Sequence, residues 1–444
     1  MRVTTIDHLL PRPGTFVRFT APSAAGELSP VPPSFNQSLH LAAATNRPST
    51  WLAAAFEIPG PVDLRALAAA YRALIARHGT LRSSFLPGDT GPLRLRHPLA
   101  SALIAEFVLK TETAVQTREV LRASLDAACA PFGHPSYLLG AIDRPDSATV
   151  VCGFDHAHVD GYSIALIIDD LRRLYAGAPP DSLPEAGDFV DHCAEQAAMR
   201  VEADDPRVRG WQDFFGIDGA TPPPFPLDLG LAPGQTAPQA VVLRELLDTV
   251  GADRFETWCR ALGAGVFAGC ASAMGHAVRA LTGRDRLSLL FPLHTRHHDR
   301  WRTAVGWFVN NAPLRVDSAA TPDRTVRATG HATRTALALG TMPTGAVLAH
   351  LGGLRPTRGD VFMTSYIDYR RLPGAAHHRE VAATHISASG HTDDAQFWFS
   401  RTTEGLALRV RHPDTPTARA TMSRFCHELQ HFVSSAPNST TSRI

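Results

Sequence analysis

The sequence predicts an α/β protein made of two similar lobes with a cleft between them. A chain of 444 residues, 44% of them hydrophobic, is long enough to bury a large core and to form more than one domain. Apolar runs of strand length alternate with segments of helical period, and the second half of the chain repeats the order of the first. The turn-rich segment AGAPPDSLP, at 176–184, provides a boundary between the two lobes.

The first lobe is predicted to span residues 1–180. Its first 50 residues are rich in Pro and Ser, and only PSFNQSLHL could begin an early helix. A clear helix starts after Asp63, a suitable N-cap, and ends at Gly79. The other elements expected here are strands at 50–58, 80–86, 136–142 and 147–154 and a helix at 113–130.

The second lobe is predicted to span residues 181–434, followed by a disordered tail at 435–444. A helical stretch runs to about Phe215, and the Pro-rich segment 221–239 then crosses over with little regular structure. Strands are expected at 240–247, 286–294, 305–316, 360–369, 381–389 and 404–411, and helices at 252–262, 264–281, 323–339, 343–351 and 417–434.

The composition excludes several classes of partner. A net charge of +1 argues against nucleic acid or an anionic membrane, since both require a basic excess. No apolar stretch approaches 18 residues and the N-terminus lacks a signal-peptide core, so we expect a cytoplasmic protein without stable membrane insertion. The six scattered cysteines are typical of free thiols, and we expect Cys152 to be a packing residue.

The stretch from Thr149 to Tyr175 carries the chemistry. TVVCGF reads as a strand, YSIALIIDDLRRLY reads as an amphipathic helix, and DHAHVDG forms a short loop between them. Loops held on such a scaffold are common positions for reactive side chains.

Three interpretations of this loop follow from its residues. His156 can be a general base, with Asp160 paired to an arginine and the amide of Gly161 open to an oxyanion. Alternatively, His156, His158 and Asp160 form an HxHxD run of metal ligands, as in a metallo-hydrolase. In the third interpretation the two histidines are ordinary surface residues with no function.

Read as HxxxDG, residues 156–161 resemble the HHxxxDG signature of the condensation-domain acyltransferase superfamily, which includes relatives of chloramphenicol acetyltransferase. Two further segments are similar to that family in the same order: RHGTLRSSF (77–85) resembles RHExLRTxF, and VGWFVNNAPLRV (305–316) resembles (I/V)GxFVNxLPLR. DVFMTSYIDYRRLPG resembles a late strand of the polyketide-associated branch. The similarity spans residues 35–435.

The resemblance implies two chloramphenicol-acetyltransferase-like lobes in a V-shaped pseudo-dimer, with an active-site tunnel at the junction. His156 matches the catalytic histidine of the motif, and Asp160 matches its structural aspartate, whose arginine partner matches best at Arg296. Asp155 stands where the family has its first histidine, and Gly79 replaces the family's glutamate.

The resemblance also places Trp307, Asn310 and Tyr366 near the substrate channel. His78 and His158 are expected to be packed structural residues. As Asp155 adds a carboxylate next to the base, it could raise the basicity of His156 if the two side chains touch.

The function that the resemblance implies is an acyltransferase that forms an ester from a thioester donor and a hydroxyl acceptor. The donor would be acyl-CoA or an acyl or peptidyl carrier protein, and the acceptor a small molecule. No permanently bound cofactor and no metal is expected, and the protein would be a monomer. Alternatives are an amide-forming enzyme, a silent condensation-like recruitment domain and the metallo-hydrolase.

Overall fold

Two seven-stranded sheets, each with its own helices, form the framework of the protein. The computed structural model describes residues 1–22, 24–44, 50–216 and 219–439. Contacts divide the chain into two units, of which the first comprises Met1–Met199, His294–Val309 and Arg371–Ser389. The predicted α/β class with two sheet-containing lobes is confirmed. The first unit nevertheless contains three segments that the predicted boundary at residue 180 assigns to the second lobe: 181–199, 294–309 and 371–389.

The strands pair into three sheets, with the orders β1-β14-β4-β9-β8-β2-β7, β12-β11-β13-β16-β17-β10-β15 and β3-β6-β5. The first of these sheets belongs to the first unit and the second to the second unit. The strands are β1 Arg2–Thr5, β2 Thr15–Thr20, β3 Glu27–Leu28, β4 Trp51–Pro59, β5 Ser83–Leu86, β6 Leu93–Arg96, β7 Ile104–Lys110, β8 Tyr137–Asp143, β9 Ser147–Asp155, β10 Ala237–Asp248, β11 Arg286–His294, β12 Val309–Asp317, β13 Met363–Asp368, β14 Thr384–Ser387, β15 His391–Thr392, β16 Gln396–Thr402 and β17 Gly405–Pro413.

Several helices start where a polar side chain caps their first turn. Asp63 accepts hydrogen bonds from the backbone N–H of Arg65 and Ala66, as predicted for an N-cap. The helices are α1 Phe35–Ala44, α2 Leu64–Arg77, α3 Ala114–Ala128, α4 Gly161–Tyr175, α5 Phe189–Ala198, α6 Pro206–Phe215, α7 Thr249–Ala261, α8 Val266–Thr282, α9 Asp299–Arg302, α10 Pro322–Leu339, α11 Thr344–His350 and α12 Pro416–Ser439.

Strand β9 lies in the middle of the first sheet, between β4 and β8. Alternate residues of β9 enter different cores: Val150, Cys152 and Phe154 pack with α2 and α4, while Val151 packs with α3. A strand covered on both faces must be apolar throughout, which explains the continuous run TVVCGF. Cys152 is a buried packing residue, as predicted, and burial raises the pKa of its thiol.

The second unit packs α7, α8 and α12 on its sheet around a core that includes Phe255, Phe397 and Phe425. No single helix among the described residues is long and apolar enough to cross a bilayer. Helices α7 and α8 reach the length and apolar composition of a membrane-spanning segment only when taken together, and they are bent by 94° relative to each other.

Several local predictions differ from the structure. The first 50 residues, expected to be broken, contain β1 and β2, and β16 was not predicted. Helix α12 continues to Ser439, beyond the predicted start of the tail, and residues 440–444 lie outside the described part of the chain. All six cysteines lie among the described residues, where they are buried and form no disulfide. Sequence reasoning missed β1 and β2 because Pro and Ser nearby obscured their short apolar alternation.

Candidate active site

The loop between β9 and α4 is held at both ends by backbone and side-chain hydrogen bonds. Asp155 is the last residue of β9, and the N–H of His156 donates to the carbonyl of Thr50 over 2.9 Å. At the other end, Asp160 is the N-cap of α4 and accepts from the N–H of Ser163. The four residues between these two carboxylates therefore have little freedom to move.

The hydrogen bond of His156 decides which ring nitrogen carries the proton. Its Nδ1 lies 2.9 Å from the carbonyl oxygen of Val159. Since a carbonyl oxygen only accepts, Nδ1 must donate, and in the neutral ring Nε2 is then left with its lone pair. The half-buried His156 thus presents an unprotonated nitrogen that can accept a proton.

The surroundings of His156 favour its neutral form. Burial lowers the pKa of the imidazole, and the nearby His40 lowers it further, while Asp155 and Asp160 act in the opposite direction. Asp155 thus raises the pKa of His156, as expected, but burial and His40 have the larger effect, and the net pKa lies below the ordinary value. The indole of Trp307 stacks on the imidazole with ring centroids 4.0 Å apart and an angle of 30° between the planes.

Asp160 forms a buried two-point salt bridge with Arg296. Nη1 of Arg296 donates to Oδ2 over 2.7 Å and Nη2 donates to Oδ1 over 3.1 Å. The hydroxyl of Ser163 and the N–H of Phe308 donate to the same carboxylate. Arg296 also donates to the carbonyls of Ala304 and Gly306. The pair therefore joins the start of α4 to the segment that carries Trp307.

The electrostatics of Asp160 fit a structural role. Burial would raise the pKa of its carboxyl group, but the charge and hydrogen bonds of Arg296 outweigh burial and lower the pKa. Both oxygens accept hydrogen bonds from Arg296, Ser163 or Phe308, so this carboxylate ties the loop to α4 and to the segment 294–309. Gly161 is the first residue of α4, where a backbone N–H has no acceptor within the helix.

The structure adds a residue that the sequence reasoning missed. Nε2 of His40, on α1, lies 2.9 and 3.0 Å from the two carboxylate oxygens of Asp155, which is fully buried. Oδ1 of Asp155 also accepts from the N–H of Ala157. The signal available in the sequence was the polar spacing of Asn36 and His40 in PSFNQSLHL, which places both on one helical face.

The positions of the side chains argue against the HxHxD interpretation as a set of metal ligands. Nδ1 of His158 lies 3.3 Å from the Thr80 hydroxyl, and its ring stacks on Phe85. His156 and Asp160 have the different partners given above. The described residues hold no group of three or more His, Cys, Asp or Glu side chains arranged to bind a metal ion. His158 is a packed residue, as expected, and burial lowers its pKa to about 4.

His78 is also a packed residue, and its Nε2 lies 3.0 Å from Oδ2 of Asp170. The departure at Gly79 has a steric explanation: a Cβ there would lie 2.0 Å from Oδ2 of Asp188. Asp188 pairs with Arg96 at 2.9 Å, so a carboxylate from another part of the chain fills the space.

Asn310 and Tyr366, two of the residues predicted to lie near the substrate channel, belong to the second unit. The side-chain amide of Asn310 is buried and donates to the carbonyls of Gly340 and Met342, while its oxygen accepts from Thr344. These bonds use its polar atoms for packing of α10 and α11. Tyr366 is half-buried on β13 against the core of that unit, and burial raises its pKa. The third predicted channel residue, Trp307, belongs to the same unit as His156 and stacks on its ring.

The sequence matches the family described as Condensation domain over residues 31–388. The chain belongs to the condensation-domain family. This condensation-domain protein is 31% identical over 327 residues to 2'-acyl-2-O-sulfo-trehalose (hydroxy)phthioceranyltransferase PapA1 of Mycobacterium bovis, a match that covers 70% of this chain and 63% of PapA1. The chain therefore spans less than two thirds of the length of this relative.

A second relative matches along nearly its whole length. Trehalose-2-sulfate acyltransferase PapA2 of Mycobacterium bovis is 28% identical over 450 residues, covering 95% of this condensation-domain protein and 94% of PapA2. A solved structure of PapA2 acyl transferase superposes with a TM-score of 0.87 at 24% identity, covering 99% of this chain and all of that one. The structural similarity establishes a shared fold.

Proposed function

We propose that this protein is an acyltransferase that moves an acyl group from a thioester to a hydroxyl acceptor, forming an ester. The observation that carries the proposal is the hydrogen bond from Nδ1 of His156 to the carbonyl of Val159. It leaves Nε2 as a proton acceptor in a loop that matches the family motif. The relatives PapA1, a (hydroxy)phthioceranyltransferase, and PapA2, an acyltransferase, support the same reaction class.

The proposed reaction needs only groups of this chain and its two substrates. The acceptor hydroxyl gives its proton to Nε2 of His156 as its oxygen attacks the thioester carbonyl carbon. The resulting oxyanion accepts a hydrogen bond from the N–H of Gly161 at the start of α4. The carbon–sulfur bond then breaks, and the leaving thiolate takes the proton from His156. Asp160 and Arg296 act through the loop by keeping His156 and Gly161 in place.

For the substrates, we propose acyl-CoA or a carrier-bound phosphopantetheinyl thioester as donor, with no permanently bound cofactor. The acceptor is a small molecule with a free hydroxyl. The names of the relatives mention trehalose derivatives, so trehalose and trehalose 2-sulfate belong in the first acceptor panel. Trp307 would form one wall beside the acceptor, because it stacks on the ring of His156.

The deciding experiment measures thiol release from a panel of acyl thioesters, with and without hydroxyl acceptors, for the wild type and His156→Ala. We expect release that depends on an acceptor and falls at least about 100-fold in the variant, the usual contribution of a general base. His331→Ala is the matched control, since His331 is exposed on α10 and should leave the rate unchanged. Unchanged release in His156→Ala would refute the assignment.

The same assay separates the alternatives. Product formation with an amine panel but not with hydroxyls would indicate amide formation. Acceptor-independent release would indicate hydrolysis, and no turnover with any pair would favour a recruitment domain. Without a covalent intermediate, initial rates should follow a sequential pattern, and a burst of acyl-enzyme would contradict the proposed mechanism.

A further inference from the structure

Helix α1 turns one polar face toward the catalytic loop and the segment that carries Trp307. Nδ2 of Asn36 donates to the carbonyl of Val309 over 2.8 Å, and Nε2 of Gln37 donates to the carbonyl of Ala157 over 2.7 Å. His40 lies four residues after Asn36 and three after Gln37, so all three share a helical face. The helix is thus hydrogen-bonded to both segments, and its last polar residue, His40, points to the site.

His40 is held in one orientation by Asp155. A single nitrogen, Nε2, contacts both carboxylate oxygens, and because an ionised carboxylate only accepts, Nε2 donates. Burial works to raise the pKa of Asp155, but the charge and hydrogen bond of His40 outweigh burial and lower the pKa. A charge-assisted hydrogen bond to a fully buried carboxylate allows the imidazole little movement.

The ring of His40 then reaches His156 through Trp307. His40 meets the indole edge to face, with centroids 5.9 Å apart and an angle of 82°. The same indole stacks on His156 at 4.0 Å, and the two imidazoles are 6.3 Å apart. Three rings in contact fix one another, because a rotation of the indole must displace one imidazole or the other.

We propose that His40 is a positioning residue: held by Asp155, it supports Trp307 against His156 and so keeps Nε2 of His156 aligned with the acceptor hydroxyl. The inference rests on the proposed function of His156 as the base. The inference assigns a role to Asp155 as well, since this carboxylate at the first motif position accepts a hydrogen bond from a residue of α1. When the His40–Asp155 pair is broken, we expect His156 to lose its alignment with the acceptor hydroxyl but to keep its ability to accept a proton.

The charged groups around His156 predict a second effect. Asp155 and Asp160 come from its own segment, His40 from α1 and Arg296, which is paired with Asp160, from the segment 294–309. His158 faces Asp155 from the loop. Replacing His40 with Gln would remove the group on α1 that lowers the pKa of His156. The pKa of His156 should then rise, and the acid limb of the pH–rate profile should move to higher pH.

The test compares His40→Gln with the double variant His40→Gln/Asp155→Asn and with Leu39→Ala. In His40→Gln we expect kcat to fall about tenfold or more with KM little changed, because misalignment of the base by 1 Å can cost about 100-fold. The acid limb of the pH–rate profile should move to higher pH in His40→Gln and return to its wild-type position in the double variant. Leu39 is exposed on the same helix, so its variant should match the wild type.

An NMR titration of His156 in the same variants keeps the two proposals separable. If His156→Ala retains full activity, the assignment of His156 as the base fails. The titration of His156 in the wild type and in His40→Gln still reports whether His40 acts on His156. The inference is overturned if His40→Gln, folded by circular dichroism, leaves kcat, the acid limb and the titration of His156 all unchanged. It is also overturned if KM alone rises, since that would assign His40 to substrate binding.

Discussion

Replacing Asp160 with Asn tests how much the buried salt bridge contributes to stability. Oδ1 accepts from the N–H and hydroxyl of Ser163 at 2.8 Å each, and Oδ2 accepts from Arg296 and from the N–H of Phe308. Asn keeps the shape and is as good an N-cap as Asp, so the cap is retained. The charge is lost, and the side chain of Arg296, 1% exposed, remains in the interior without its carboxylate.

The expected cost is about 3–5 kcal/mol, the usual result of removing one partner of a buried ion pair. The cost should depend on pH with a definite sign. The pKa of Asp160 is lowered in the folded state, so its contribution is present above the unfolded pKa of about 3.9 and is lost as pH falls through the folded pKa. The stability difference between wild type and variant should be constant from about pH 5 to 7 and narrow below about pH 4.

Equilibrium unfolding in urea measures this difference, followed at each pH for both proteins. Because a chain with two units need not unfold in one step, hydrogen exchange at the amides of α4 gives the local value. Asp181→Asn, at an exposed position, is the matched control. A cost under about 1 kcal/mol, or a difference that stays constant below pH 4, would refute the account of Asp160 as a buried, ion-paired carboxylate.

Three further predictions concern other positions. Because burial and then His40 lower the pKa of His156, kcat/KM should stay level from pH 8 to about 6.5 and fall only below that; an acid limb above pH 7 would contradict this. Asp63→Ala should destabilise the first unit by about 1 kcal/mol in urea unfolding and Asp63→Asn by much less, since only Asn keeps the N-cap; equal losses would argue against capping. Gly79→Ala should cost about 1–3 kcal/mol because the added Cβ meets Asp188, whereas Gly390→Ala, with no atom within 4 Å of its Cβ, should be near neutral by thermal unfolding.

Much of the loop between β9 and α4 could be predicted from local sequence alone. The apolar run before DHAHVDG, the helical spacing after it and the short polar residues between them place His156 and Asp160 between a strand and a helix. The N-cap at Asp63 was predictable for the same reason, since capping and periodicity depend on residues within a few positions of one another. The motif resemblance added Arg296, 136 residues from Asp160, which no local pattern could have paired with it.

Only the tertiary structure decided the contacts between distant segments of the chain. Hydrophobic periodicity indicates which face of α1 is polar, but not that His40 meets Asp155, 115 residues away, or that Trp307 lies between His40 and His156. The tertiary structure also pairs the side-chain amide of Asn310 with a carbonyl 30 residues further along the chain. Local sequence determines the elements through short-range energetics, whereas their side-chain partners depend on how the folded chain brings remote segments together.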